Sequence, residues 1–232
     1  MINARREQSK VNADSRDMKE AEKTDFRQAL EAALASFQIG ALTEGQLDQL
    51  AKHYSLLVTW NRKINLTRIT KPGDAAQLHY AESLFGGQFI ENGQTVLDIG
   101  SGAGFPAVPL AVLRPDLEVT ALEANVKKSV FLKEAKDLLG LSNFKVICAR
   151  LEEFDWSGYD VLTSRALEAG SEVWASTMTK LGSRQRLMLY TTAEVLATAN
   201  KRLRSILKET GPGCDIHPIP HAESRLIAIF GM

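Results

Sequence analysis

The chain has 232 residues, 44% of them hydrophobic, with 28 basic and 28 acidic side chains and two cysteines. Such a length and apolar content suit one large domain, or one domain with an appendage, around a buried core. They exclude a disulfide scaffold: Cys148 and Cys214 read as reduced thiols, too sparse for a structural zinc site, and no metal is expected. Balanced charge is no evidence for nucleic-acid binding and none against it, because local patches make phosphate contacts. The longest apolar run, Phe105 to Leu113, holds two prolines and falls far short of the roughly 20 residues that span a bilayer. Met1 to Asp25 lacks a signal-peptide core, so a cytoplasmic protein without membrane contact is the expectation.

Residues 1–24 mix both charge signs without a hydrophobic period and are expected to form a mobile arm. From Asp25 the pattern is helical: Phe26, Ala29, Leu30, Ala33, Leu34 and Phe37 lie on one face, with Thr24 or Asp25 as cap and Gly40 as stop. Thr43 to Gln46 has capping-box spacing, and Leu47, Leu50, Ala51, Tyr54, Leu57 and Val58 continue a second apolar face. The run from Trp60 to Arg68 breaks this period with amide, hydroxyl and basic groups. Two readings fit it: a site lining, or a connector whose Asn and Thr bond their own backbone. After the turn at Pro72-Gly73-Asp74, Ala75 to Phe85 reads as a short helix carrying His79, Glu82 and Ser83.

From Thr95 strand and helix patterns alternate, which predicts a mostly parallel sheet covered by helices on both faces. Predicted strands are Val96–Ile99, Val119–Leu122, Phe144–Ile147, Asp160–Ser164, Arg186–Tyr190, Asp215–Ile219 and Leu226–Phe230. Helices are expected at Pro106–Leu113, Lys127–Leu139 with Gly140 as stop, Leu167–Met178 and Ala193–Lys208. The short link at His221–Arg225 predicts that the last two strands pair antiparallel at an edge. The organisation expected is therefore an arm at 1–24, a helical segment at 25–94 and an α/β domain at 95–232.

The first strand runs into Asp98-Ile99-Gly100-Ser101-Gly102-Ala103-Gly104-Phe105-Pro106, a strand, glycine turn and helix start. Glycines let the backbone reverse and bring its N–H groups close to a ligand, and Pro106 suits the first helical turn. A dinucleotide fingerprint needs a third glycine at the sixth position. Here that position is Phe105 and the third glycine is Gly104. With Asp98 inside the strand, the turn resembles the first motif of the class I S-adenosylmethionine-dependent methyltransferases. Glu123, ending the second strand about 20 residues on, suits ribose hydroxyls, a device shared with NAD proteins. After the third strand, the Leu151 N–H and Glu152 carboxylate suit an adenine edge, with a solvated acidic pair as the alternative. The fourth strand ends Thr163-Ser164-Arg165-Ala166, with neither the Asn-Pro-Pro-Tyr type of motif for exocyclic amines nor a Pro-Cys nucleophile.

Across Trp60 to Ala166 the chain resembles the bacterial glucose-inhibited division protein B family, the small-subunit rRNA guanine-N7 methyltransferases. The resemblance rests on Trp60-Asn61, Asn65-Leu66-Thr67, His79 with Glu82-Ser83-Leu84, Asp98 to Pro106, Pro109-Leu110-Ala111, Lys127-Lys128 with Phe131-Leu132, Arg150 with Glu152-Glu153, and Ser164-Arg165-Ala166. Arg225-Leu226-Ile227 extends it. It implies a class I, Rossmann-like methyltransferase with a seven-stranded mostly parallel sheet, S-adenosylmethionine as cofactor, and a guanine of 16S rRNA or of the small ribosomal subunit as acceptor. By matched position, Gly100, Phe105, Leu151, Glu152 and Arg165 become cofactor contacts, with Asp98, Gly102, Gly104 and Glu123 beside them, and Asn65, His79, Lys127 and Lys128 substrate contacts. Arg62, Lys63, Arg68 and Lys71 add candidate RNA-facing charge; a solvated face is the alternative reading. Two positions depart from the family pattern: Ala107 replaces a glycine after Phe-Pro, and Tyr190-Thr191-Thr192 replaces Lys-Gly in the fifth strand.

Guanine N7 has an in-plane lone pair and no proton to lose, so no general base is expected and no catalytic His is sought. Arg165 is expected to hold the cofactor's methionine carboxylate or an RNA phosphate, because a cation against N7 would oppose the charge arriving there. A monomer is expected. The competing readings are an RNA-binding protein that keeps the fold without turnover, and an NAD-dependent oxidoreductase.

Overall fold

The computed structural model describes residues 20–165, 172–198 and 213–231. They form two compact units, one reaching Ala81 and one beginning at Glu82, so Glu82 to Gln94 group with the sheet rather than with the helices before it. Residues 1–19 of the expected arm, 167–171 of one predicted helix and 199–208 of another lie outside the described residues.

The first unit holds two helices, α1 (20–36) and α2 (Glu44–Asn61), followed by α3 (Pro72–Ala75) and a π-helical segment (Ala76–Ala81). α1 extends N-terminal of the expected cap, so Thr24 lies inside it and its hydroxyl donates to the Glu20 carbonyl. The left-handed residue that ends it is Gln38, φ 56°, not Gly40. The capping box forms as spaced, with Thr43 accepting from the Gln46 N–H and Gln46 accepting from the Thr43 N–H. Phe26 stacks on Tyr54 at 4.5 Å and meets Tyr80 edge-on, and the Tyr80 hydroxyl lies 2.8 Å from His53 Nδ1.

The second unit is a seven-stranded sheet in the order β3-β2-β1-β4-β5-β7-β6. Its strands are β1 (Thr95–Ile99), β2 (Glu118–Leu122), β3 (Phe144–Ile147), β4 (Val161–Arg165), β5 (Arg186–Thr192), β6 (Gly213–Pro218) and β7 (Arg225–Gly231). The first five pair parallel, and β7 runs antiparallel between β5 and β6, as the short final link predicts. Helices α4 (Glu82–Gly86), α5 (Ala107–Leu113), α6 (Val126–Leu139), α7 (Glu172–Thr179) and α8 (Ala193–Thr198) complete the described elements. The chain leaves β1 for β2 and β3 on one side and returns to β4 on the other. The crevice at the carboxyl ends of β1 and β4 is thus the topological switch point, where open α/β sheets bind ligands.

Expectation and structure differ locally at two helices of this unit. Pro106 is the N-cap of α5 rather than its first residue, and Pro109 sits in the first turn, where no intrahelical N–H is needed. On α6, the pattern puts Val130, Phe131, Ala135, Leu138 and Leu139 toward the core, but Val130 and Leu138 face outward, 46% and 48% exposed, while Ser129, Phe131, Leu132, Ala135 and Leu139 are buried. Both faces of this helix carry large apolar residues, so the period alone does not identify the covered one. Gly140 ends α6 in the left-handed region at φ 64°, as expected.

Candidate active site

The loop after β1 is built as a smooth surface. Gly100, Gly102 and Gly104 have φ of 71°, 57° and 87°, which side chains with a Cβ rarely adopt. A Cβ added at Gly102 would meet only the Gly100 carbonyl, at 3.7 Å, so the space over the turn is open. Its N–H groups, however, are not aimed at a ligand as the glycine spacing suggests. Gly100 and Ser101 donate to the Leu122 carbonyl, Gly102 donates to Glu123, and Gly104 and Phe105 donate to the Ser101 carbonyl. The turn therefore offers mainly clearance: of its N–H groups from Gly100 to Phe105, that of Ala103 alone makes no hydrogen bond to the described residues, so an anion beside it needs side chains as well.

Beneath the turn, Asp98 is fully buried and accepts from the Thr163 hydroxyl at 3.1 Å across the switch point, where β1 and β4 are in register at these two residues. Ser164 repeats the stitch by donating to the Ile99 carbonyl at 2.8 Å. The second oxygen of Asp98 has no hydrogen bond among the described residues. Burial pushes this carboxyl up to about 7, opposed by nearby hydroxyls and the Ala107 N–H and reinforced by the Glu123 charge. Asp98 is sealed below the loop, whereas the motif placed it among the cofactor contacts. It supports the turn from underneath.

Glu123 lies beside the turn, where β2 adjoins β1. It accepts from the Gly102 N–H at 2.9 Å through one oxygen and from the Asn125 N–H at 2.8 Å through the other. Each oxygen keeps a second lone pair, so a ribose diol fits without breaking either bond. Leu151 and Glu152 follow β3 on a short 3₁₀ turn, Leu151 partly covered and Glu152 exposed. Sheet order thus lines up Gly102, Glu123 and Glu152 along the carboxyl edge from β1 toward β3. An elongated nucleoside-bearing ligand suits this line, with Phe105 buried at the position where a dinucleotide fold needs glycine.

On the other side, Arg165 ends β4. Its guanidinium is mostly buried and paired to Glu82 of α4 at 3.0 Å. Glu82, 2% exposed, also lies 2.8 Å from the Nε of Arg225, the first residue of β7. That second contact is an ion pair only, since the N–H is not aligned for a hydrogen bond. Burial dominates both groups of the inner pair, raising the Glu82 carboxyl despite two adjacent guanidiniums and lowering Arg165 against the pull of Glu82. Tyr190 of β5 closes the cluster. It is in register with Arg165, its hydroxyl donates to the Ser83 carbonyl at 3.1 Å, and burial raises its phenol. The residue that departs from the family pattern is thus a packed part of the site. Glu82 and Arg225 were not among the expected site residues; the available signal was an acid on a short helix otherwise made of Ser83, Leu84, Phe85 and Gly86.

The expected substrate residues divide between the two units. Lys127 and Lys128 open α6, where the Asn125 side chain caps both of their N–H groups and leaves the Lys127 side chain exposed. In the helical unit, Asn65 is exposed, whereas His79 is buried in the π-helical segment with its Nε2 2.8 Å from the Thr67 hydroxyl. His79 is therefore engaged in holding the Trp60–Arg68 connector. Asn61 does the rest: its Oδ1 accepts from the Leu66 and Thr67 N–H groups and its Nδ2 donates to the Thr67 carbonyl. The connector reading holds for these residues. Arg62, Lys63, Arg68 and Lys71 all stand exposed around it.

The sheet order with a glycine turn at its switch point is that of the class I S-adenosylmethionine-dependent methyltransferases. Solved structures share this fold: mitomycin 7-O-methyltransferase MmcR (16% identity, TM-score 0.54, covering 88% of this chain and 73% of that one) and the precorrin-6y C5,15-methyltransferase of Geobacter metallireducens GS-15 (18%, 0.51, 70% and 89%). Residues 46–217 match the family model described as rRNA small subunit methyltransferase G, GidB, and the chain belongs to this family. Among its relatives are the ribosomal RNA small subunit methyltransferases G of Neisseria meningitidis serogroup C (strain 053442), 40% identical over 60% of this chain and 67% of the relative, and of Laribacter hongkongensis (strain HLHK9), 40% identical over 61% and 68%. Among the described residues no helix is long and apolar enough to cross a membrane.

Proposed function

We propose that this protein transfers the methyl group of S-adenosylmethionine to N7 of a guanine in 16S rRNA, acting as a cytoplasmic monomer on rRNA or on the small ribosomal subunit. The observation that carries this reading is the glycine turn at the switch point of a chain of this family, flanked by Glu123 on one side and Arg165 on the other. When bound, the cofactor supplies an electrophilic methyl on a sulfonium centre. Gly100, Gly102 and Gly104 give it a surface free of side chains, Glu123 takes the ribose, and Leu151 with Glu152 takes the adenine edge. Asp98 acts from below by fixing the turn.

Arg165 is the natural partner of the methionine carboxylate. β4 lies directly beside β1, and the turn's own N–H groups, that of Ala103 apart, are already bonded. A guanidinium has five donors, so Arg165 can keep Glu82 and still hold a carboxylate. Because the acceptor nitrogen carries no proton, the site needs alignment rather than a base, and orientation alone can supply roughly 7–11 kcal/mol of barrier lowering. In the helical unit the exposed Arg62, Lys63, Arg68 and Lys71 supply charge for RNA beside the exposed Asn65, and in the sheet unit the exposed Lys127 and half-buried Lys128 supply more. His79 is better read as the support of their connector.

Labelled S-adenosylmethionine incubated with rRNA or small subunits lacking the modification should place label on one guanine. Cofactor binding without transfer to any RNA would instead support the RNA-binding reading without turnover. In the same assay Arg165→Ala should weaken cofactor binding about 10- to 100-fold, the weight of one or two charge-assisted hydrogen bonds. Unchanged cofactor affinity with lost transfer would assign Arg165 to an RNA phosphate.

A further inference from the structure

The cluster around Glu82 holds two guanidiniums and one carboxylate, so one positive charge is left over on the sheet face that α4 covers. Register puts the members on that face together: Arg165 pairs with Tyr190, Tyr190 with Ile227, and Thr192 with Arg225. The two arginines are not equivalent. Arg165 is 16% exposed, whereas Arg225 is 37% exposed and meets Glu82 through Nε. Its two terminal nitrogens make no hydrogen bond to another described residue beyond this cluster.

Position separates their roles as well. The cofactor line runs from β1 toward β3, through Glu123 and Glu152. Arg225 lies the other way, three strands from β1 across β4 and β5, or about 14 Å at the usual strand spacing. Its backbone is thus two strands farther from the glycine turn than that of Arg165, yet on the same carboxyl edge of the sheet.

Resting on the rRNA-methyltransferase reading, we propose that Arg225 binds one phosphodiester of the RNA acceptor through its terminal guanidinium nitrogens, and that Glu82 is the positioning residue that holds Arg225 and Arg165 on either side of Tyr190. A forked, weakly hydrated guanidinium suits a phosphate better than an ammonium does. Glu82 gives the exposed arginine a fixed bearing by taking its Nε side.

The test is RNA affinity of the full-length protein against salt, using 16S rRNA or small subunits lacking the modification, beside cofactor affinity. Arg225→Gln should weaken RNA binding and lower the slope of log K against log salt by about one, with cofactor affinity within about twofold of wild type. Arg225→Lys should restore the slope. Glu82→Gln removes no positive charge, so its slope should stay at or above the wild-type value while KM for RNA rises. If Arg225→Gln fails to fold, Arg225→Met, which likewise leaves the Glu82–Arg165 pair balanced, should show the same loss of slope. An unchanged slope in a folded Arg225 variant, or a loss of cofactor affinity in place of it, overturns the phosphate contact. An unchanged KM in Glu82→Gln overturns the positioning role. If the wild-type protein neither binds nor methylates RNA, the parent reading fails together with this one, whereas wild-type methylation with an unaltered Arg225 slope defeats this proposal alone.

Discussion

Replacing Asp98 with Asn should remove a pH-dependent weakness from the fold and at the same time impair cofactor binding. The buried Asp98 carboxyl sits at about 7, above its ordinary value of 3.8, with burial as the main cause. An acid raised in this way keeps its proton in the folded protein and releases it in the unfolded chain. Its native state is therefore favoured most below the unfolded value, loses ground as pH climbs from about 4 to about 7, and changes little beyond. From pH 5 to pH 8 the linkage amounts to about 2–3 kcal/mol, as an order of magnitude. Urea unfolding of wild type and Asp98→Asn across that range should show their difference shifting in favour of the variant by this amount. A constant difference would mean that Asp98 is ionised throughout. The Asn side chain still accepts from Thr163, but its amide presents donors toward the Ala107 N–H. The glycine turn should loosen, and cofactor affinity should fall even where stability rises.

Gly86→Ala should be among the most destabilising single changes in the sheet unit. A Cβ at Gly86 would lie 1.9 Å from the Tyr190 hydroxyl oxygen, 2.7 Å from Cζ of that ring and 3.3 Å from Ile227 Cδ1. The ring cannot retreat, because it is buried among β-strands and its hydroxyl is bonded to Ser83. Overpacking of this kind costs about 3 kcal/mol or more, at the upper end for one added methyl. α4 must move outward, which pulls Glu82 from Arg165 and should lower methyl transfer beyond the loss of stability. Gly86→Ala/Tyr190→Leu tests the cause. Removing the hydroxyl and narrowing the ring opens the space, so the double variant should be less destabilised than the sum of its singles, by more than about 0.5 kcal/mol. Additive effects would locate the cost of Gly86→Ala in its backbone.

The sequence by itself determined the strands, the antiparallel edge and the cofactor class. These depend on short-range physics: alternation within five or so residues, glycines forced to positive φ, and a phenylalanine where a dinucleotide fold needs a glycine. Local capping was legible at Thr43 with Gln46 and at Gly140, but not at the ends of α1. Tertiary structure decided which groups meet. Glu82 reaches Arg165 and Arg225 only because β4, β5 and β7 lie side by side in that order with β7 reversed, and no spacing along the chain encodes that order. The burial of Asp98, the outward face of Val130 and Leu138, and the use of the turn's N–H groups by Leu122, Glu123 and Ser101 belong to the same class. Each depends on what packs against the residue, a long-range consequence of folding rather than a local preference of the chain.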